Sequence, residues 1–332
     1  MRAMVIEEFG DPDVFHPADV PGPEVLPGQV LIRVAASSVN PVDTKIRNGR
    51  LKAIAPPLPA ILHGDVAGEI VAVGEGVPEL AVGDEVYACA GGVGRRQGAL
   101  AELMLAEAAQ VAKKPASLSL LQAAALPLVG ITAWEAIVDK ADVQAGETVL
   151  VFGGTGGVGH VGLQLARWRG AKVVATASTP EKAELARQLG ADAVVDARHD
   201  AIEDIVSEHT GGRGFDVVFD TVGGDNLQKS FRAARFNGRV VTTSARSTQD
   251  LSEVHARGLS LHAVFMLIPL LHDIGTERHG AILRQLAMLV DDGHVRPLLD
   301  EHRFAFSRVA EAHRFLESGQ AVGKVVLEND LI

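Results

Sequence analysis

From residue 149 onward the chain alternates short apolar runs with amphipathic ones. VLVF (149–152), KVVATA (172–177), AVV (193–195), FDVVFD (215–220), GRVVTTS (238–244) and LSLHAVFM (259–266) read as six strands. Between the first two, Val158 to Arg169 reads as a helix. Its Val158, Val161, Leu165, Ala166 and Trp168 lie on overlapping faces, and Gly170 stops it. In STPEKAELARQLG, Ser178 and Glu181 have the spacing of a capping box, Pro180 sits in the first turn and Gly190 follows the end. Strands separated by helices at this spacing predict parallel βαβ units with right-handed crossovers. Near-continuous valine-rich runs suit strands covered by helices on both faces. The expectation is an α/β protein containing a six-stranded doubly wound parallel sheet.

The first 120 residues follow another pattern. Gly- and Pro-rich stretches (PGPEVLPGQ, APPLPA, VGEGVPELAVGDEVYACAGG) separate short strands such as VLIRVAA and EIVAVG, which suits a mostly antiparallel β domain. After Met266 a helix is predicted near 277–292, and the chain closes on GKVVLEN. No internal repeat is evident.

The run VLVFGGTGGVG (149–159) raises the first chemical question. Gly154, Gly156 and Gly159 fit GxGxxG, between a strand and a helix within βαβ units, which is the context a dinucleotide site requires. One glycine is needed for the tight turn, one for close approach of a pyrophosphate, and one for helix–strand packing. The anion then meets the N–H groups and positive dipole of the following helix. Gly154, Thr155, Gly156, Gly157, Val158 and Gly159 are therefore candidate cofactor-binding residues. An NAD site presents Asp or Glu at the end of the second strand. This strand ends Ala175-Thr176-Ala177-Ser178-Thr179 without an acid, and Lys182 and Arg198 follow. Ser178, Lys182 and Arg198 suit a 2′-phosphate, so NADPH is expected over NADH. The alternative for Lys182 is a solvated lysine in the first turn.

Composition narrows the classes. At 332 residues, with 47% hydrophobic and 22% charged, the chain suits about two ordinary globular domains. A net charge of −11 opposes general nucleic-acid binding. The single cysteine, Cys89, excludes an internal disulfide and a cysteine-built zinc site. No apolar stretch reaches the ~18 residues of a membrane span, and the start MRAMVIEEFG carries acids where a signal peptide is apolar. No membrane association is expected, and a cytoplasmic location is.

The β domain, LPLVGITAWEAI and the glycine-rich unit together resemble the medium-chain dehydrogenase/reductase superfamily. ASSVNPVDTKIRNG, HGDVAGEIVAVG and AEAHRFLESGQAVGKVVLEN are similar to its zinc-independent quinone oxidoreductase branch. The resemblance covers nearly the whole chain. It implies a GroES-like catalytic domain from 1–120 and 267–332, a Rossmann domain from 121–266, and a homodimer built through the sixth strand near His262 to Met266. Zinc alcohol dehydrogenases have a cysteine where this chain has Asn40, a histidine where it has Gly64 and a third ligand near Leu128, so no metal site is expected. His63, adjacent to Gly64, is expected to be satisfied by hydrogen bonds.

The resemblance further implies site residues. Asn40 would lie beside the nicotinamide, bonding cofactor ribose or substrate oxygen. Thr132 would pack on the nicotinamide ring, Ser244 would line the cofactor groove, Phe265 and Met266 would lie at its nicotinamide end, and Lys324 would close the site. Lys45 departs from the branch, which has tyrosine there; it either stabilises an oxyanion or points to solvent. Ala197 likewise replaces a tyrosine expected near the ribose phosphate. Asp43 is either a helix-start residue or a general acid. The implied activity is hydride transfer from NADPH to a small quinone or conjugated enone. The alternatives are an alkenal or enoyl reductase, and a crystallin-like protein that binds NADPH without turnover. No role is assigned to the histidines between His255 and His313.

Overall fold

Alternation shapes the first long strand: Val30, Ile32, Val34 and Ala36 are buried while Arg33 between them is exposed. A computed structural model describes residues 1–331. In chain order it begins with β1 (Arg2–Val5), β2 (His16–Asp19), β3 (Gln29–Ser38), α1 (Pro41–Arg47), β4 (Asp65–Val73), β5 (Glu85–Cys89), β6 (Leu103–Glu107) and β7 (Ala112–Lys113). Two helices follow, α2 (Leu120–Ala123) and α3 (Pro127–Trp134). The alternating region comprises β8 (Thr148–Phe152), α4 (Gly159–Trp168), β9 (Lys172–Thr176), α5 (Pro180–Gln188), β10 (Ala193–Val195), α6 (Ile202–Thr210), β11 (Phe215–Asp220), α7 (Asn226–Ala233), β12 (Ala234–Thr242), α8 (Ser252–Arg257) and β13 (Ser260–Ala263). The last part holds α9 (Ile268–His272), α10 (Glu277–Asp291), β14 (Leu299–Ala305), α11 (Val309–Glu317) and β15 (Lys324–Glu328).

The chain divides into two compact units. The first comprises Met1–Ile131, Leu267–Gly293 and Pro297–Ile332; the second, Thr132–Met266 and His294–Arg296. The boundary expected after residue 120 falls instead between Ile131 and Thr132. The reason is packing: α2 lies on β3, β4, β5 and β15 of the first unit. Residues 294–296 join the second unit because the Gln164 side chain bonds both the N–H and the C=O of Arg296, each at 3.0 Å.

The first unit holds a sheet in the order β14-β15-β3-β4-β5-β7, with β6 also paired to β3 and a separate β1–β2 pair. All pairings are antiparallel except β14 with β15, so this is the antiparallel-rich GroES-like architecture. Helix α10 packs on β5 and β7, and the buried Tyr87 hydroxyl donates to the Leu283 carbonyl at 2.6 Å.

The second unit is a six-stranded parallel sheet in the order β10-β9-β8-β11-β12-β13. This is the doubly wound Rossmann order, in which the strand sequence reverses between β8 and β11. Leu150, Phe152, Val174, Phe215, Val218, Phe231 and Val240 form its core. On α4, Gly162 faces the ring of Phe219: a Cβ there would come within 2.4 Å of it. The absence of a side chain lets α4 lie close to the sheet and brings its N-terminus beside the end of β8.

Candidate active site

The turn after β8 assigns its glycines differently from the motif. The tight turn is made by Gly153, one residue earlier, at φ +76°. Its N–H donates to the Thr176 hydroxyl at 2.9 Å, and the Gly154 N–H donates to the Thr176 carbonyl at 3.0 Å. A Cβ on Gly154 would strike Ala175 at 2.7 Å, and one on Gly159 would strike the Gly153 carbonyl at 2.0 Å. Gly156 is the least crowded of the three, though a Cβ there would still press on the Gly153 oxygen at 3.2 Å. Thr155 is buried, whereas Gly156, Gly157 and Val158 are partly exposed at the start of the ten-residue α4. A partly exposed backbone at a helix N-terminus suits a pyrophosphate.

At the end of β9, α5 is capped by Thr179, whose hydroxyl accepts from the Lys182 N–H at 3.2 Å, and not by Ser178. Ser178 offers its carbonyl to the Arg198 guanidinium. Arg198 is held there by Asp196, donating through Nε at 3.0 Å and Nη2 at 2.9 Å. That ion pair holds the Asp196 carboxyl well below the usual range. Lys182 is partly exposed. A cation that the sequence reading missed is Lys229 on α7, which donates to the Ala197 carbonyl at 2.8 Å. The departure at Ala197 was the one signal that could have directed attention there.

The other candidates of the second unit fall on its loops. Ser244 packs on Gly223, where a Cβ would lie 2.5 Å away. That loop is pinned by buried Asp220, which accepts from the N–H groups of Val222 and Gly223, both at 2.8 Å, and from Ser230 at 2.8 Å. Phe265 is about half-exposed; Met266 is buried, as is Thr132 on α3.

In the first unit, four separate segments converge on a buried polar cluster. Asn40 begins α1, and its N–H donates to Asp43 Oδ2 at 2.7 Å, one arm of a capping box. Its side-chain Nδ2 donates to Asp65 Oδ2 at 2.8 Å, and its Oδ1 accepts from Lys324 Nζ at 2.5 Å. Asp65, at the start of β4, also accepts from Ser38 Oγ and the Leu128 N–H, each at 2.7 Å, and from Lys324 at 3.4 Å. Asp65 is absent from the sequence-derived candidates because an acid opening a strand has no local pattern of its own. Asp43 is fully buried with fewer donors, and burial raises its carboxyl to about 7, with nearby Asp65 adding to the rise. Lys45 is exposed on α1, and the structure does not bring it into this cluster.

His63 braces the cluster from behind. It adopts φ +71°, rare for a side chain of its size. The Ser37 hydroxyl spends its proton on the Asp65 carbonyl at 2.6 Å, so His63 Nδ1 must be the donor toward Ser37, at 3.2 Å. His63 Nε2 then accepts from His313 Nε2 on α11, at 2.9 Å. Burial lowers His63 to about 3 and His313 well below its ordinary value, so both rings are neutral. His313, in the stretch without a sequence-derived role, thus has a structural one.

A family model described as an alcohol dehydrogenase GroES-like domain matches residues 26–116, and one described as a zinc-binding dehydrogenase matches residues 189–327. Three relatives span almost all of the chain. An NADPH-dependent alkenal/one oxidoreductase of Arabidopsis thaliana is 38% identical over 98% of the chain and 79% of its own length. The chain belongs to the medium-chain dehydrogenase/reductase superfamily. Within it the chain is quinone oxidoreductase-like: the Homo sapiens quinone oxidoreductase is 34% identical over 98% of the chain and 97% of its own length. A crystal structure of an alcohol dehydrogenase superfamily protein from Novosphingobium aromaticivorans superposes with TM-score 0.94 at 41% identity, covering 99% of each chain.

A side chain at position 64 meets an obstacle, since a Cβ on Gly64 would lie 2.9 Å from the Gly91 carbonyl and 3.1 Å from Cys89 Sγ. Among the described residues, no group of three His, Cys, Asp or Glu could hold a metal ion. No helix among them is long and apolar enough to cross a membrane.

Proposed function

We propose that the protein is a zinc-independent, NADPH-dependent reductase acting on a quinone or a conjugated enone. The observation that carries this reading is Asn40. At a position where zinc relatives place a metal ligand stands an amide that gives one N–H to Asp65, while the other has no partner among the described residues. It offers a hydrogen-bond donor to an oxygen, which suits an acceptor that is already electrophilic and needs polarisation only. When bound, reduced nicotinamide supplies the hydride. The turn Gly154 to Gly159 would hold the pyrophosphate, and Ser178, Lys182 and Arg198 the 2′-phosphate. Thr132, Ser244, Phe265 and Met266 are the candidate contacts toward the nicotinamide. The acceptor takes a hydride and one proton; water or exposed Lys45 would deliver the proton. Asp43 would serve as the cap of α1, since its carboxyl is buried against the Asn40 N–H. The 38% identity to an alkenal/one oxidoreductase favours alkenals as a further acceptor class beside quinones and enones. Pairing of two copies through β13 would form a homodimer.

The test is loss of reduced-nicotinamide absorbance by chelator-treated protein, with NADPH or NADH offered against small quinones, alkenals and enones. Rapid oxidation of NADPH that survives chelation is expected. Activity that returns only with added zinc, or tight NADPH binding with no turnover on any acceptor, would overturn the reading.

A further inference from the structure

We propose that Asp65 is a positioning residue for this chemistry: together with Lys324 it fixes which end of the Asn40 amide meets the reacting oxygen, an assignment that rests on the reductase reading. Asp65 is fully buried and Lys324 nearly so, at 0% and 3% exposure. Both act through Asn40. The amide lies between a carboxylate on its Nδ2 side and an ammonium on its Oδ1 side. Turning it over would set two acceptors against each other at 2.8 Å and two donors at 2.5 Å. Two charge-assisted hydrogen bonds would become two repulsions. One orientation therefore survives, and the group left over is an N–H.

An N–H held in place before reaction stabilises negative charge as it develops on an acceptor oxygen, at no reorganisation cost. An amide free to turn would present its carbonyl part of the time and repel that oxygen. The grip on Asp65 is itself redundant. Ser38 and the Leu128 N–H fix its carboxylate, while Ser37 holds its carbonyl and is in turn bonded by His63. Ends of β3 and β15, the start of β4 and the first turns of α3 all contribute, more anchoring than the cap of a seven-residue helix requires.

The experiment compares wild type, Asp65→Asn, and the double variant Asp65→Asn/Lys324→Met. Three readouts are taken: steady-state kinetics, NADPH binding by fluorescence titration, and the side-chain amide resonances of Asn40 in protein labelled with ¹⁵N-asparagine. Asp65→Asn is expected to broaden or shift the Asn40 amide and lower kcat about 10–100-fold, the scale of a small misplacement at a reacting centre. NADPH affinity should stay within about twofold. The double variant removes the stranded ammonium, so its melting temperature should recover toward wild type while kcat stays low. If kcat recovers together with stability, or the Asn40 resonances are unchanged in Asp65→Asn, the pair serves folding alone and the assignment is wrong. Wild type that turns over no acceptor sinks the reductase reading, and the Asn40 resonances still decide whether Asp65 sets the amide.

Discussion

At the end of β9, Arg198 is held by Asp196, while no acid is paired with the ammonium of Lys182 among the described residues. An exposed pair such as Arg198–Asp196 is worth little to stability, so its value lies in aiming a guanidinium at the Ser178 carbonyl. A charge-assisted hydrogen bond is worth about 1.5–3 kcal/mol. Lys182→Ala and Arg198→Ala are each expected to weaken NADPH binding about tenfold or more and to leave NADH binding unchanged. Cofactor fluorescence titrations check this. An equal loss for both cofactors would remove the residue from the 2′-phosphate site. The cation types were readable in the sequence; that Arg198 reaches the Ser178 carbonyl was not, because that contact depends on β10 lying beside β9.

Elements were the most legible level. Apolar runs gave the six parallel strands to within a few residues, because a strand buried on both faces has little freedom in composition. Local caps were less so: Ser178 and Glu181 have capping-box spacing, yet Thr179 caps α5 once Pro180 fixes the first turn. Among the described residues, the edge strand β13 is bonded to β12 alone. Its outer edge exposes backbone donors and acceptors, with Leu261 41% and nearby Phe265 48% exposed. Leu261→Lys is therefore expected to halve the mass measured by light scattering, through charge placed on an edge that would pair two copies. An unchanged mass would show that β13 does not carry the dimer.

For the whole molecule, buried titratable groups set the pH dependence of folding. The Asp43 carboxyl titrates at about 7 when folded, against 3.8 when free. As pH rises through that window the unfolded chain releases its proton first, and stability falls by about 1.4 kcal/mol per pH unit. His63 has the opposite sign. Its folded value of about 3 lies below 6.5, so stability is lost as pH falls from about 6.5, and His313 adds to that loss. Asp43→Asn should therefore stabilise more at pH 8 than at pH 4.5, by on the order of 3 kcal/mol. Urea unfolding at the two pH values measures the difference; equal effects at both would show that Asp43 does not titrate between them.

The sequence alone determined what depends on neighbours along the chain: the period of apolar residues, the glycine turn after a strand and the missing acid after β9. These follow from backbone sterics and residue chemistry within a short window. Tertiary structure decided what depends on distant segments meeting. Asp65, at the start of β4, became the hub of the Asn40 cluster because β3, the N-cap of α1, α3 and β15 deliver Ser38, Asn40, Leu128 and Lys324 to one buried carboxylate. His313 acquired a role 250 residues from its partner His63. A buried charge must find its donors wherever the fold supplies them, and that requirement leaves no mark on the residues beside it.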